Sequence, residues 1–163
     1  MSNFTTEIKN DNIFIMAFTY KYPRPELTAD CIVITQEQEP KILLIQRKNE
    51  PFKGCWAFPG GFMNMDETTE ECAIRELKEE TGIDINPENI FQIGAYSEVN
   101  RDPRDRIVTV AYLTIVDKVL KVQGLDDAAK AERFSIYELP ELAFDHNTIL
   151  KDAILLYKTI NDR

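Results

Sequence analysis

The sequence has a single histidine and only three cysteines, Cys31, Cys55 and Cys72, among its 163 residues. The cysteines are odd in number, far apart and form no C-x-x-C pair. Neither a disulfide framework nor a thiolate zinc site is suggested, and a reducing compartment is the simplest setting. The lone histidine argues against a nitrogen-ligated metal. No apolar run approaches the roughly 20 residues of a membrane-spanning helix. Glu7, Lys9 and Asp11 stand where a signal peptide would carry its apolar stretch. These absences predict a cytoplasmic protein without a membrane partner. Basic charge is in deficit, 19 residues against 28 acidic ones for a net −9. That balance repels phosphate backbones and predicts no nucleic-acid partner. Internal repeats, low-complexity tracts and Gly/Ser linkers are missing as well. One domain spanning residues 1–163 is expected, with the polar residues 1–12 as a loose arm.

The rest of the chain alternates between β-forming and helical segments. Residues 13–20 are apolar and aromatic, a short strand that Pro23 and Pro25 cut off. Residues 28–35 and 41–46 are rich in β-formers and flank the turn-like stretch 37–40, which predicts a hairpin. A loop punctuated by Gly and Pro covers 51–61. A helix is expected over 67–81, with Asp66 as N-cap and Gly82 as its stop. Strands are predicted over 90–99 and 107–116 around the charged turn 100–106, with another near 132–134. Ser135 and Glu138 suggest a capping box on a brief helical turn ended by Pro140. Ile149, Leu150, Ala153, Ile154, Tyr157 and Ile160 recur at helical spacing, with Asp145 available as N-cap. This order predicts an α/β domain with a mixed sheet between helices.

The segment from Asp66 to Gly82 is chemically uncomfortable. It holds Asp66, Glu67, Glu70, Glu71, Glu76, Glu79 and Glu80 against only Arg75 and Lys78. Acids in the first turn suit the helix dipole. Glu76, Glu79 and Glu80, however, share one face near the negative end, where each like-charge pair costs roughly 0.2–0.5 kcal/mol. Ala73, Ile74 and Leu77 form an apolar opposite face, so the acids are held in a fixed direction. An oxygen-only cluster next to a Gly-rich loop suits a hard divalent cation, Mg²⁺ or Mn²⁺. A solvated acidic face is the simpler alternative.

The segment Gly61-x5-Glu67-x7-Arg75-Glu76-Leu77-x-Glu79-Glu80-x-Gly82-Ile83 resembles the Nudix box at every defined position. The resemblance implies an α/β/α sandwich with a mixed sheet between helices. It also implies a pyrophosphohydrolase in which Glu76, Glu79 and Glu80, with Gly60, carry the metal. Arg75 and Glu67 form a pair that positions these acids, and Gly61 and Gly82 shape the two ends of the box. Catalysis is implied for Glu76, Glu79, Glu80 and Arg75. The base is Glu79 or a later acid such as Asp126 or Asp127, which also read as a plain turn.

A second resemblance covers residues from about Tyr20 to the last helix. Tyr20-Lys-Tyr-Pro-Arg-Pro25, Trp56-Ala-Phe-Pro-Gly-Gly-Phe-Met-Asn-Met-Asp-Glu67, Arg101-Asp-Pro-Arg104, Asp126-Asp-Ala-Ala129 and Ala143-Phe-Asp-His146 are similar to ADP-ribose pyrophosphatases and to ADP-ribose-sensing regulators. It implies hydrolysis of ADP-ribose to AMP and ribose 5-phosphate by a homodimer with Mg²⁺, or Mn²⁺ in its place. Arg101 and Arg104 suit a phosphate or ribose, or a solvated turn; Arg47 suits a phosphate or plain surface. Tyr20 offers an aromatic platform or ordinary packing, and Phe62 completes the expected substrate contacts. Other nucleotides (a triphosphate, NADH, a dinucleoside polyphosphate) and a sensor role are the competing readings.

Overall fold

The computed structural model describes residues 18–117 and 130–162. The described strands are β1 (Glu26–Thr35), β2 (Lys41–Gln46), β3 (Trp56–Ala57), β4 (Gly60–Phe62), β5 (Ile90–Tyr96), β6 (Ile107–Val116) and β7 (Lys130–Ser135). The helices are α1 (Thr69–Thr81) and α2 (His146–Asn161), with a 3₁₀ turn at Pro87–Asn89. All the strands join one sheet in the order β3-β2-β1-β6-β5, with β4 added to β1 and β7 to β2. The central pair β1/β6 is parallel, from Glu26 opposite Ile107 to Thr35 opposite Val116, while the other pairings are antiparallel. The expected mixed sheet is therefore present, and β1 and β2 pair as the hairpin pattern required.

A strand's side chains alternate between faces, and β1 uses both. Cys31 and Val33 pack with Cys72, Ala73 and Leu77 of α1. Ile32 and Ile34 pack with Ile149, Leu150, Ala153 and Tyr157 of α2. This two-sided burial explains the nearly unbroken apolar run of β1 and makes the domain a helix/sheet/helix sandwich.

Several boundaries differ from expectation: β5 stops at Tyr96 rather than at 99, and the short strand β3 and the start of β4 fall within the expected loop 51–61. The N-cap of α1 is Thr68 rather than Asp66: its hydroxyl accepts the Glu71 N–H at 3.2 Å, and Glu71 accepts the Thr68 N–H at 2.8 Å. The capping box Thr68-x-x-Glu71 satisfies two otherwise orphan donors, which a lone Asp66 two residues upstream does not match. Residues 136–138 form a turn, not a helix, because the Glu138 N–H bonds to the Ser135 carbonyl and the Tyr137 N–H to the Ser135 hydroxyl. Residues 18–20 are not a strand, and 13–17 lie outside the described residues. The α1 stop at Gly82 is as expected, with a left-handed φ of 74° and its N–H on the Lys78 carbonyl. Replacing Thr68 by Ala is expected to cost about 1 kcal/mol in chemical denaturation, the usual scale of an N-cap. Asp66→Ala should change stability by less than about 0.5 kcal/mol.

Candidate active site

Arg75 resolves the crowding of acids on α1. Its Nε donates to Glu67 Oε2 at 2.9 Å and its Nη2 to Glu67 Oε1 at 2.6 Å, a two-pronged pair. The Nη1 donates to Glu76 at 2.6 Å and to Glu79 at 3.2 Å, and Nη2 also reaches the Phe62 carbonyl at 3.0 Å. One fork thus binds the loop before the helix, strand β4 and two of the helix acids. Hydrogen bonds from Arg75 hold Glu67 at about 2, against an ordinary 4.5. The Arg75 guanidinium is pushed up in turn, chiefly by Glu67. Glu76 behaves oppositely: its burial raises its pKa more than Arg75 lowers it.

The two glycines before this helix are dictated by contact. A Cβ on Gly61 would sit 2.5 Å from the Glu76 carboxylate, and one on Gly60 would sit 2.4 Å from Asp30 Oδ1. With no side chain in the way, the Gly60 N–H donates to Glu80 Oε2 at 2.9 Å.

Beside this loop opens a cleft of about 200 Å³ whose walls include Asp30, Arg47, Phe58, Gly60, Gly61, Phe62, Glu80, Arg101, Arg104, Phe144 and His146. Seven of the sequence-derived positions therefore line one cleft (Arg47, Gly60, Gly61, Phe62, Glu80, Arg101 and Arg104), with differences in detail. Arg101 is nearly buried and donates to both Asp145 oxygens, at 2.9 and 2.6 Å, so it braces the wall as an ion pair. Arg104 is paired in the same two-pronged way with Asp102, at 3.0 and 2.6 Å. Burial pushes Asp102 up, but the Arg104 hydrogen bonds outweigh it and leave the carboxyl below its usual range. Arg47 donates to the Pro51 carbonyl at 2.7 Å and lies over the Phe144 ring at 4.7 Å. No described carboxylate forms an ion pair with it; burial and the neighbouring Arg104 cation push its pKa down. A desolvated cation beside a second cation is a natural seat for an anion.

Glu79 is more than half exposed and Glu76 stands behind Gly61, so of the helix acids Glu80 lines the cleft itself. Tyr20 lies away from it, exposed, with Arg24 over its ring at 4.0 Å. Asp126 and Asp127 fall outside the described residues. Three cleft residues had not been singled out as substrate contacts: Asp30, Phe144 and His146. A charged residue inside the buried run Thr-Ala-Asp30-Cys-Ile-Val was the signal available for Asp30.

For a divalent cation the donor chemistry fits: carboxylate and backbone oxygen in a pocket where, among the described residues, the buried His146 is the one nitrogen or sulfur competitor. Among the described residues no three acids, histidines or cysteines are grouped as a ready-made cation site. Glu76 and Glu79 are instead turned onto Arg75.

The NUDIX domain family model matches residues 24–154, and the chain belongs to that family. It is 46% identical over 132 residues to an ADP-ribose pyrophosphatase of Methanocaldococcus jannaschii, covering 80% of this chain and 74% of that one. Its fold is similar to the NUDIX domain of Shewanella oneidensis NrtR solved with ADP-ribose. There the TM-score is 0.76 at 30% identity, over 83% of this chain and 90% of that one. It is also similar to a bifunctional NMN adenylyltransferase/ADP-ribose pyrophosphatase of Francisella tularensis solved with AMP and a manganese ion. In that case the TM-score is 0.71 at 28% identity, over 85% of this chain and 43% of that one.

The Glu67–Arg75 pair sets an acid limit on stability. A carboxyl whose folded pKa is depressed contributes above its unfolded value, near 4.5, and loses that contribution as pH falls toward about 2. Denaturation at pH 6 and pH 3 should show a larger acid-induced loss in the wild type than in Glu67→Gln.

Proposed function

We propose that the chain hydrolyses ADP-ribose to AMP and ribose 5-phosphate, with Mg²⁺, or Mn²⁺ in its place, held by Glu80, Glu76, Glu79 and the Gly60 carbonyl. The observation that carries this reading is the cleft itself, whose lining brings Glu80 and Gly60 together with Arg47 and Arg104. The similarity to an ADP-ribose pyrophosphatase supports the choice of substrate, and the manganese ion in the Francisella structure supports the choice of metal.

A diphosphate resists attack because its oxygens are anionic. Arg47 and Arg104 offer guanidinium charge to those oxygens and orient the bridge. Bound beside Glu80, a divalent cation would supply further neutralisation and lower the pKa of an attacking water. That water's oxygen bonds to one phosphorus as the P–O–P bridge breaks, and the bridging oxygen leaves with the other product. Glu79, the most exposed of the three helix acids and only weakly held by Arg75, takes the proton. Arg75 holds Glu67, Glu76 and Glu79 together and aimed, while Phe62 and Phe144 wall the cleft around Arg104 at 5.4 and 5.5 Å. Arg101 acts through Asp145 rather than on the substrate. Asp126 and Asp127 remain the proposed reserve for a further ligand or base.

We place the enzyme in the cytoplasm as a homodimer that binds no nucleic acid. The exposed aromatic run Phe18, Tyr20 and Tyr22 supports an intersubunit role for that segment.

Incubation with ADP-ribose and Mg²⁺ should release AMP, and Glu80→Gln should lower kcat by at least about 100-fold, the scale of removing an electrostatic contributor to the reaction. Stronger turnover of a nucleoside triphosphate, NADH or a dinucleoside polyphosphate would keep the reaction and replace the substrate. Tight ADP-ribose binding without turnover of any diphosphate would make the chain a sensor.

A further inference from the structure

The chain's only histidine sits where α2 meets the cleft, and its contacts reach the loop that precedes α1. The Phe58 N–H donates to His146 Nδ1 at 3.2 Å across 88 residues of sequence, and the two rings stack at 4.4 Å and 9°. Because Nδ1 accepts, the ring proton is on Nε2, which faces Asp30 Oδ1 at 3.9 Å. Burial lowers the His146 pKa, so the imidazole is neutral at neutral pH. Asp30 is itself fixed from below, since the Thr109 hydroxyl donates to Oδ2 at 2.6 Å. Its other oxygen occupies the space that a Cβ on Gly60 would need.

The same short segment ties down the rest of the cleft. The Ala143 N–H bonds to the Trp56 carbonyl at 2.8 Å, the Phe144 ring lies under Arg47 and Arg104, and Asp145 holds Arg101. Phe144 takes a left-handed φ of 53° to do so, a conformation that a bulky residue keeps only where its surroundings enforce it. Asp145 stands at the N-cap of α2 yet makes no side-chain cap bond there, so its carboxylate serves the cleft at the helix's expense.

We infer that His146 is a positioning residue for the reaction, holding Phe58 so that Gly60 stays over Glu80, with Asp30 and Thr109 as its support. It touches no reacting atom. A stacked, neutral ring that accepts a backbone N–H fixes both the height and the rotation of the loop. An apolar ring would fill the space but leave a buried N–H unpaired.

The test compares His146→Phe, which keeps the stacking ring, with His146→Gln, whose amide oxygen restores an acceptor. Deuterium exchange of a peptide spanning residues 56–61 is followed in substrate-free protein, alongside kcat and KM on whichever diphosphate is turned over. In His146→Phe, kcat should fall about tenfold with KM within about threefold of wild type, the scale of one lost buried hydrogen bond. Exchange should accelerate in residues 56–61 but not in α1 or α2, and His146→Gln should recover most of both effects. Unchanged kcat and exchange in His146→Phe would overturn the proposal, as would exchange that rises equally in both helices. Should His146→Phe fail to fold, Thr109→Val, which removes the support of Asp30, takes its place. Faster exchange confined to residues 56–61 with lower kcat is then expected, and wild-type values for both would overturn the proposal. Because exchange is read without substrate, an error in the ADP-ribose assignment leaves this result intact.

Discussion

The guanidinium of Arg75 is the contact on which the rest of the site depends. A helix with three glutamates on its closing face, packed against a sheet, would repel itself and face the wrong end of its own dipole. Arg75 answers that problem with one planar group that reaches Glu67, Glu76, Glu79 and the Phe62 carbonyl together. Lysine, a single point charge, has no fork with which to hold two directions at once. The acids are therefore held near one another while retaining the negative charge that a cation requires.

A second set of contacts fixes the far wall. Two arginines are each committed to a buried or half-buried aspartate, Arg101 to Asp145 and Arg104 to Asp102. Arg47 donates to a backbone carbonyl and lies over an aromatic face. The result is a graded set of cations: one locked into the scaffold, one paired but at the cleft, and one with no carboxylate partner among the described residues. Charge arranged in this way discriminates between a structural role and an anion-binding role without any change in residue type.

Much of this was legible before any coordinates. The box at Gly61 to Ile83 states the helix, its stop and its pairings in fixed spacing, and the β-forming runs that flank the turn 37–40 state the hairpin. The N-cap was missed because Asp66 is a stronger cap by rank, while the reciprocal Thr68/Glu71 bonds are what decide. Ser135 and Glu138 had the right spacing for a cap, but the chain turns there instead of continuing. Tyr20 was expected as an aromatic platform or as ordinary packing on the strength of a resemblance, and within the described chain it carries Arg24 over its ring and does not line the cleft.

Local spacing and the period of apolar residues determined the two helices, the β1/β2 hairpin and the side of each helix that is buried, because those depend on neighbours within a few residues. The resemblance to the Nudix box marked which helix bears the reaction. Tertiary structure alone decided which charges are available. Arg101 and Arg104 look alike in sequence, and their difference depends on Asp145, 44 residues away, and on Asp102 next door. His146 reads as a residue at a helix start until Phe58 and Asp30 are brought against it from distant strands and loops. Burial and pairing are long-range properties, so the chemistry of these side chains was set only when the sheet closed around them.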